Sequence, residues 1–245
     1  MAERLQKWLA GQGLGSRREI ERWIDAGRIE VDGVKAELGL KVTGEENIRI
    51  DGKALRKHKS EEPQKSRVLI YNKPSGEICS RSDPDGRRTI FQSLPKVISA
   101  RWITVGRLDY QTTGLLLVTT DGELANKLMH PSSELKREYV VRALGELSDD
   151  QQKRLLKGIR LDDGPAKFDS LVHTEGEGAN KSYRVVVSEG RNRIIRRMFE
   201  AVGCRVNRLM RVSYGNISLP RKLRPGKYQE LSDHQVAQLI GSVQG

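Results

Sequence analysis

The feature that most constrains the fold is a series of short strand-like segments in the second part of the chain. A few helical patterns interrupt this series, chiefly at residues 122–129, 149–157 and 192–202. Because strands and helices do not alternate regularly, we predict an α+β fold with a mixed, mostly antiparallel β-sheet flanked by helices, rather than a βαβ repeat. The strand-like segments, rich in Val, Ile, Leu and Tyr, are residues 67–71, 102–105, 114–119, 139–144, 167–174, 183–187 and 205–212.

The first sixty residues carry a different pattern, in which two short helices precede short strands. An amphipathic helix is predicted over residues 3–11, and a capping box formed by Ser16 and Glu19 opens a second helix that ends at Gly27. These residues are expected to fold as a small module. Two strands follow the helices, each before an Asp-Gly turn, at residues 28–31 and 48–50.

A polar segment, HKSEEPQKS at residues 58–66, follows this module. It contains a proline and no large apolar residue, which is typical of a linker. A capping pattern at Ser232 predicts one more helix near the C-terminus. The predicted division is a module over residues 1–60, a linker over 61–66, a large domain over 67–232, and a C-terminal helix and tail over 233–245.

Positive charge is concentrated in one part of the chain. The net charge is +12 and the isoelectric point is about 9.8. Residues 191–227 hold eleven Lys and Arg, nine of them arginine, against the single acid Glu200, so the other 208 residues carry only about +2. Because the guanidinium group donates paired hydrogen bonds to phosphate oxygens, this cluster predicts a polyanionic partner.

Composition also disfavours several classes of protein. No apolar run approaches the roughly 20 residues that span a bilayer, and the charged N-terminus lacks the apolar stretch of a secretory signal, so a cytoplasmic location without membrane contact is expected. Cys79 and Cys204 lie in no metal-ligand spacing, and the four histidines are scattered. The chemistry is therefore expected to use ordinary side chains, with no metal and no nucleotide or other cofactor.

Two short motifs look functional but are better explained as turns. Residues 11–15, GQGLG, follow a helix and lack the spacing of a dinucleotide-binding loop, so they predict a turn between helices. Residues 83–86, DPDG, contain two aspartates, as some phosphoryl-transferring hydrolases do. No apolar strand precedes them, however, and Pro-Asp-Gly is typical of a turn.

The sequence Gly106-Arg107-Leu108-Asp109 presents a carboxylate on a loop between two apolar strands. Catalytic residues are common on such loops, because the flanking strands form a rigid scaffold that positions them. By position alone, Asp109 is either a catalytic carboxylate or a solvated loop residue. The motifs around it distinguish these interpretations.

Asp109 belongs to an ordered set of motifs. They are NKP at residues 72–74, GRLD at 106–109, TGLLL at 113–117, TDG at 120–122, KREY at 136–139 and EGRNRIIRRMF at 189–199. Together they resemble the RsuA/RluB/RluE/RluF family of pseudouridine synthases, and residues 1–60 resemble the S4 RNA-binding domain of those enzymes. The resemblance covers nearly the whole chain and is strongest to the B-type enzymes that act on large-subunit ribosomal RNA.

The resemblance implies an S4-like (αL) module, a pseudouridine synthase fold and a role for each matching residue. Asp109 matches the catalytic aspartate, which starts the detachment of uracil from its ribose by nucleophilic attack or by proton abstraction. Arg107 matches a residue that fills the gap left by the flipped uridine, and Tyr139 matches a tyrosine that stacks on the uracil. Leu209 matches an apolar residue that packs against the base; an ordinary core leucine is the alternative.

The helix predicted after Arg191 distributes its arginines over two sides. Its apolar residues recur at helical spacing and form a buried face, and Arg196 lies beside that face. Arg196 is therefore expected to reach across a cleft and form an ion pair with Asp109, a role that the resemblance also gives it. Arg193 and Arg197 point to the opposite, solvent side, and with Arg191 they are candidates for substrate binding.

In the S4-like module, four basic residues are candidates for RNA binding: Arg4, Lys7, Arg17 and Arg18. Positive charge at a helix N-terminus is mildly unfavourable. The adjacent arginines at 17–18 are therefore explained either by contact with an RNA backbone or by simple exposure.

Three functions are compatible with these motifs. The first is isomerisation of uridine to pseudouridine in large-subunit, 23S, ribosomal RNA. The second is the same reaction on small-subunit, 16S, ribosomal RNA or another RNA, and the third is a non-catalytic RNA-binding role in ribosome assembly. The presence of Asp109 and Tyr139 favours catalysis. We expect a monomer that acts on ribosomal RNA or a pre-ribosomal particle.

Overall fold

The computed structural model of the chain describes residues 2–55, 65–98, 100–174 and 179–243. It divides into two compact units. The first comprises Met1–Ser66 with Pro95–Trp102 and Thr120–Gly122, and the second comprises the rest of the chain. The predicted α+β class is confirmed. Most of the predicted linker lies outside the described residues.

Within its described residues, the first unit contains two helices and two small antiparallel sheets. Its elements are β1 (Glu3–Arg4), α1 (Leu5–Gly11), α2 (Arg17–Asp25), β2 (Ile29–Val31), β3 (Val34–Lys35), β4 (Lys41–Val42), β5 (Ile48–Ile50) and β6 (Lys53–Ala54). Strand β1 pairs with β4, and the other four strands follow the order β3-β2-β5-β6. Apolar residues of both helices and of β2, β4 and β5 form one buried core: Leu5, Leu9, Ile20, Ile24, Ile29, Val42 and Ile48.

Local signals in the sequence fix the boundaries of these elements. Ser16 Oγ accepts a hydrogen bond from the backbone N–H of Glu19 at 3.1 Å, and the Glu19 carboxylate accepts one from Ser16 N–H at 3.2 Å, which confirms the predicted capping box. The Asp-Gly pairs at 32–33 and 51–52 have positive φ at both residues, as type I′ hairpin turns require. Residues 11–15 join the two helices as a turn, as predicted.

One large sheet organises the second unit. The strands that follow β6 in the chain are β7 (Val68–Lys73), β8 (Ile103–Thr104), β9 (Thr113–Thr119), β10 (Arg137–Leu144), β11 (Ile159–Leu161), β12 (Gly164–Ala166), β13 (Ser170–Thr174), β14 (Asn180–Val187), β15 (Arg205–Tyr214), β16 (Ile217–Ser218) and β17 (Tyr228–Glu230). The sheet has the order β13-β14-β10-β15-β9-β7-β17, with β16 on β15 and β8 on β9. Among the described strands of this sheet only β9 and β15 pair in parallel, so the predicted mixed, mostly antiparallel sheet is confirmed.

The remaining helices are α3 (Gly122–Met129), α4 (Asp149–Lys157), α5 (Ile194–Ala201) and α6 (Asp233–Gly241). The bounds of α3 and α4 agree with the predicted ones. Helix α5 begins two residues later than predicted, because Arg193 has a φ of 48° and acts as its N-cap. No helix in the described ranges has the length and apolar character needed to cross a membrane.

Helices α3 and α6 pack their apolar side chains against strands β7 and β9, and they form one continuous core with Tyr214. Helix α5 is anchored by aromatic contacts, since the ring of Phe199 lies 5.8 Å from that of Tyr183 and 5.9 Å from that of Phe168. The predicted buried face of α5 is confirmed: Ile195, Met198, Phe199 and Val202 are all buried.

Several parts of the second unit differ from the sequence prediction. The segment predicted as a strand over 167–174 pairs only from Ser170 onward, and the one over 102–105 is reduced to two paired residues. The hairpin β11–β12 was not predicted, because β12 begins with Gly164-Pro165, a pair that normally marks a turn.

Gly114 allows β9 and β15 to approach each other closely. Its φ is +99°, and a Cβ at this position would overlap the carbonyl oxygen of Arg211 and lie 2.9 Å from its nitrogen. Replacing Gly114 by alanine is therefore expected to lower the free energy of unfolding by about 2–3 kcal/mol, through backbone strain and separation of the strands. Urea denaturation measures this loss.

Gly86→Ala is the matched control for this variant. Gly86 also has a positive φ, +68°, but no atom lies within 4 Å of its Cβ position. It therefore reports the cost of backbone strain without the overlap. Equal losses of stability in the two variants would contradict the importance of the close approach between the strands.

Candidate active site

A cleft of about 730 Å³ opens in the second unit. Its volume lies within the range of pockets that hold small molecules. Much of its lining comes from residues 106–109 with Thr112, and from residues 188–195, a loop with the start of α5; Met129 and Pro131 also contribute. Strands β10 and β15 supply the rest of the lining: Arg137, Tyr139, Leu209, Arg211 and Tyr214.

The pairing of β10 with β15 explains why these strand residues meet. Tyr139 lies opposite Arg211, and Arg137 lies opposite Tyr214. The register shifts between these two pairs, so that Val212 is an extra residue on β15, as in a β-bulge. Regular alternation would turn Arg211 and Tyr214 to opposite faces of the sheet. The bulge brings both side chains to the cleft.

The loop that carries Asp109 is held by a buried lysine. Lys73, at the end of β7, is fully buried. Its ammonium group donates hydrogen bonds to the carbonyl oxygens of Pro74, Asp109, Tyr110 and Thr112, at 3.0–3.3 Å. Burial lowers the pKa of Lys73, and neighbouring acidic groups oppose this shift. A single buried cation therefore joins the end of β7 to three carbonyl groups of the loop.

The side chain of Asp109 remains available to a substrate. It is half-buried and lines the cleft. Among the described residues, its carboxylate accepts one hydrogen bond, from Thr112 Oγ1 at 3.4 Å. The preceding Leu108 is fixed through its backbone, because its N–H and its carbonyl oxygen both lie 3.4 Å from the Cys79 thiol. The carboxylate thus keeps most of its acceptor capacity for a ligand.

Arg196 is buried on α5, but it does not contact Asp109 directly. Its Nη1 donates a hydrogen bond to Val206 O at 2.7 Å, which draws the guanidinium toward β15. In the part of the chain that the structure describes, no ion pair within 4.0 Å joins Arg196 to Asp109, so the predicted direct pair is corrected to a longer-range attraction. Burial lowers the pKa of Arg196, the charge of Arg193 lowers it further, and the charge of Asp109 opposes both.

Asp163 engages two of the arginines that were candidates for substrate binding. Its Oδ1 lies 2.9 Å from Arg191 Nη1 and 2.5 Å from Arg197 Nη2. Hydrogen bonding from Arg197 lowers the pKa of Asp163 to about 2. Arg191 also pairs with Glu189, whereas Arg193 is exposed. Arg197 is therefore half-buried in an ion pair instead of projecting into solvent as predicted.

Comparisons with known proteins agree with this geometry. Residues 67–201 match the RNA pseudouridylate synthase family, and residues 3–48 match the S4 domain. The chain belongs to the RNA pseudouridylate synthase family. It is therefore an enzyme that isomerises uridine in RNA, and its N-terminal part carries an S4 RNA-binding domain.

Individual relatives of this pseudouridine synthase support the assignment. "Ribosomal large subunit pseudouridine synthase B" of Escherichia coli K12 is 55% identical over 233 residues, covering 94% of this chain and 80% of that protein. The protein of the same name from Salmonella typhi is 53% identical over 246 residues, covering 100% of this chain and 84% of its own. A crystal structure of a pseudouridylate synthase aligns with a TM-score of 0.66 and 26% identity, covering 96% of this chain and 99% of its own.

The cleft of the synthase brings together six of the residues singled out from the sequence: Arg107, Asp109, Tyr139, Arg191, Arg193 and Leu209. Arg107 is exposed, while Tyr139 and Leu209 are buried. Arg196 and Arg197 are not among the residues that line the cleft in the described structure. Within the same ranges, no group of three or more His, Cys, Asp or Glu side chains is placed to hold a metal ion.

The sequence analysis gave no role to four residues of the site, although the first two lie within its motifs: Lys73, Arg137, Arg211 and Tyr214. Strand alternation could have found two of them, because Arg137 and Arg211 each lie two residues from a predicted site residue on the same strand. Lys73 carries a weaker signal, a lysine within an apolar strand. Tyr214 has no such signal, because its orientation depends on the bulge at Val212.

In the first unit, the candidate RNA-binding residues lie on the surface. Arg17 and Arg18 are the first two residues of α2 and are exposed, as is Arg4 at the end of β1. Lys7 is half-buried and pairs with Glu3 at 3.2 Å. Three of the four side chains thus present their charge to solvent.

Proposed function

We propose that this enzyme isomerises a specific uridine of large-subunit, 23S, ribosomal RNA to pseudouridine. Support comes from identities of 53–55% to bacterial enzymes whose name specifies the large ribosomal subunit. The single observation that carries the chemistry is the available Asp109 carboxylate, which shares its cleft with Tyr139. The cleft is also lined by five arginines, which suit an RNA substrate: Arg107, Arg137, Arg191, Arg193 and Arg211.

In the proposed reaction, the bond between ribose C1′ and uracil N1 breaks and a bond between C1′ and C5 forms. Asp109 starts the detachment in one of two ways: it attacks C1′ to form an ester, which breaks when C5 bonds to C1′, or it removes a proton from the sugar and returns it on rejoining. The detached uracil rotates and rejoins through C5, whose proton is released while N1 gains one. These reaction steps balance in atoms and in charge, and they require neither a metal nor an organic cofactor.

The remaining roles follow from the need to extract the base. Flipping a uridine out of folded RNA costs a few kcal/mol of stacking. We assign filling of the vacated space to the exposed Arg107 and stacking on the uracil to Tyr139, with Leu209 as an apolar contact. Arg196 is assigned to supply positive charge near Asp109, since the charge of that aspartate raises the pKa of Arg196. Three further arginines are assigned to RNA phosphates: Arg191, Arg193 and Arg197.

The proposed partner is ribosomal RNA, free or within a pre-ribosomal particle, and the proposed active form is a cytoplasmic monomer. Residues 1–60 are proposed as the RNA-binding module, 61–66 as a linker, 67–232 as the catalytic domain, and 233–245 as a terminal helix and tail. The module would add affinity through its four basic residues: Arg4, Lys7, Arg17 and Arg18.

Mapping of pseudouridines tests the proposed function. Ribosomal RNA is compared between cells with and without the gene, and one 23S position is expected to lose its pseudouridine on deletion and regain it on complementation. Loss of a 16S site would redirect the proposal to the small subunit. An unchanged pseudouridine map in all ribosomal RNA would contradict it.

Neutralising the arginines at the start of α2 is expected to weaken RNA binding and its dependence on salt. Each phosphate contact adds about one to the slope of log affinity against log salt concentration, so Arg17→Gln with Arg18→Gln should lower the slope by about two. A filter-binding titration over a range of salt concentrations measures it. The control, Arg49→Gln with Lys53→Gln, makes the same charge change at exposed positions of β5 and β6; an equal change in both variants would contradict a local RNA contact.

A further inference from the structure

Two buried arginines in the cleft carry charge that no carboxylate neutralises. Arg137 is 8% exposed and Arg211 is 2% exposed, and both line the cleft. In the described residues, neither forms an ion pair within 4.0 Å. Unpaired buried charge is unfavourable, because the protein replaces the lost hydration only in part. This arrangement is therefore expected to gain a counter-ion from a ligand.

The hydrogen bonds of these arginines orient them but leave donors free. Arg137 Nη1 donates to Ser188 O at 2.8 Å, and its Nη2 donates to the Tyr214 hydroxyl at 3.2 Å. Arg211 Nε donates to Leu115 O at 2.7 Å, while its Nη2 is buried without a hydrogen-bond partner. Uncharged oxygen atoms accept the hydrogen bonds that hold the two guanidinium groups in position. Neither group has a negatively charged acceptor in the described residues.

Tyr214 ties the two guanidinium groups together. Each lies 5.0 Å from the centre of its ring, which is a cation–π distance. The Tyr214 hydroxyl in turn donates to Leu128 O at 2.8 Å, so the ring is anchored. The bulge at Val212, described above, is what allows Arg211 and Tyr214 to face the cleft together. The two charges are thus fixed before any ligand binds.

The acidic residues of the cleft are already committed elsewhere. Glu189 binds Arg191 with both carboxylate oxygens. Asp109 is assigned to the reaction. We propose that Arg137 and Arg211 form a subsite for a phosphate group of the RNA backbone next to the flipped uridine, with Arg137 making the hydrogen bonds and the more deeply buried Arg211 adding positive charge. This inference rests on the proposed function, because RNA supplies the phosphate.

Neutral phosphate analogues test the subsite. An RNA fragment that contains the mapped target uridine is prepared with a single methylphosphonate linkage on its 5′ side or on its 3′ side. With the natural enzyme, one of these two substitutions is expected to lower kcat/KM about tenfold, because a charge-assisted hydrogen bond is lost. With Arg137→Gln, the same substitution should change kcat/KM less than about twofold, since the partner is already absent.

Arg142→Gln is the matched control, because Arg142 is an exposed arginine on the same strand; it should keep the full tenfold effect. Should Arg137→Gln fail to fold, a measurement on the natural enzyme can still overturn the subsite. Its binding to the sensitive methylphosphonate RNA should show a salt slope lower by about one than its binding to unmodified RNA.

Activity on unmodified RNA with no effect of either methylphosphonate overturns the subsite but not the proposed function. Equal effects in the natural enzyme and Arg137→Gln also overturn it.

Discussion

Replacing Asp109 by asparagine is expected to lower the rate of pseudouridine formation by at least about 10³-fold. The asparagine amide keeps the shape of the side chain but loses its negative charge and its capacity to attack or to accept a proton. The fold should be unaffected, because the carboxylate accepts only the hydrogen bond from Thr112 among the described residues. The position of the loop depends on backbone contacts, chiefly with Lys73.

Single-turnover release of tritium from C5-labelled uridine in ribosomal RNA measures this loss, and thermal unfolding verifies the fold. Asp85→Asn is the matched control, because Asp85 is an exposed loop aspartate whose side chain pairs with Arg87 at 3.0 Å. It should retain full activity. Residual activity of Asp109→Asn within tenfold of the natural enzyme would contradict the catalytic assignment, as would complementation of the pseudouridine site in cells.

Much of the fold could be predicted because its signals are local. The capping boxes at Ser16 and Ser232 and the Asp-Gly turns satisfy backbone hydrogen bonds within a few residues, so the sequence carries the information directly. The bounds of α3 and α4 were likewise predictable. The apolar pattern of α3 stops near Met129, where the helix ends, and α4 begins directly after its N-cap, Ser148. The loop that carries Asp109 was recognised through its motif.

The parts that could not be predicted depend on contacts between distant segments. The bulge at Val212 exists only in the pairing of β15 with β10, so the orientation of Tyr214 was not accessible from strand alternation. The helix period correctly placed Arg196 beside the buried face of α5. It could not show that Val206 O, on a neighbouring strand, would capture the guanidinium that was expected at Asp109.

Replacing Lys73 by methionine is expected to lower the free energy of unfolding by about 3–5 kcal/mol and to reduce activity at least about a hundredfold. Methionine fills a similar volume but donates no hydrogen bond. The carbonyl of Asp109 still accepts from Thr112 N–H, and that of Tyr110 from Gly76 N–H. Pro74 and Thr112 lose the hydrogen bond that the lysine donates to their carbonyl oxygens.

Two effects of the methionine oppose each other, and their balance makes the variant informative. Burial disfavours the charged lysine, as its lowered pKa indicates, so an apolar side chain removes that cost. The loss of donors to a buried loop outweighs this gain, because one partner of the network is removed while its acceptors remain. Urea denaturation measures the stability and tritium release the activity, with Lys127→Met on the exposed face of α3 as control. Unchanged stability with full activity would show that the loop holds its catalytic conformation without the lysine.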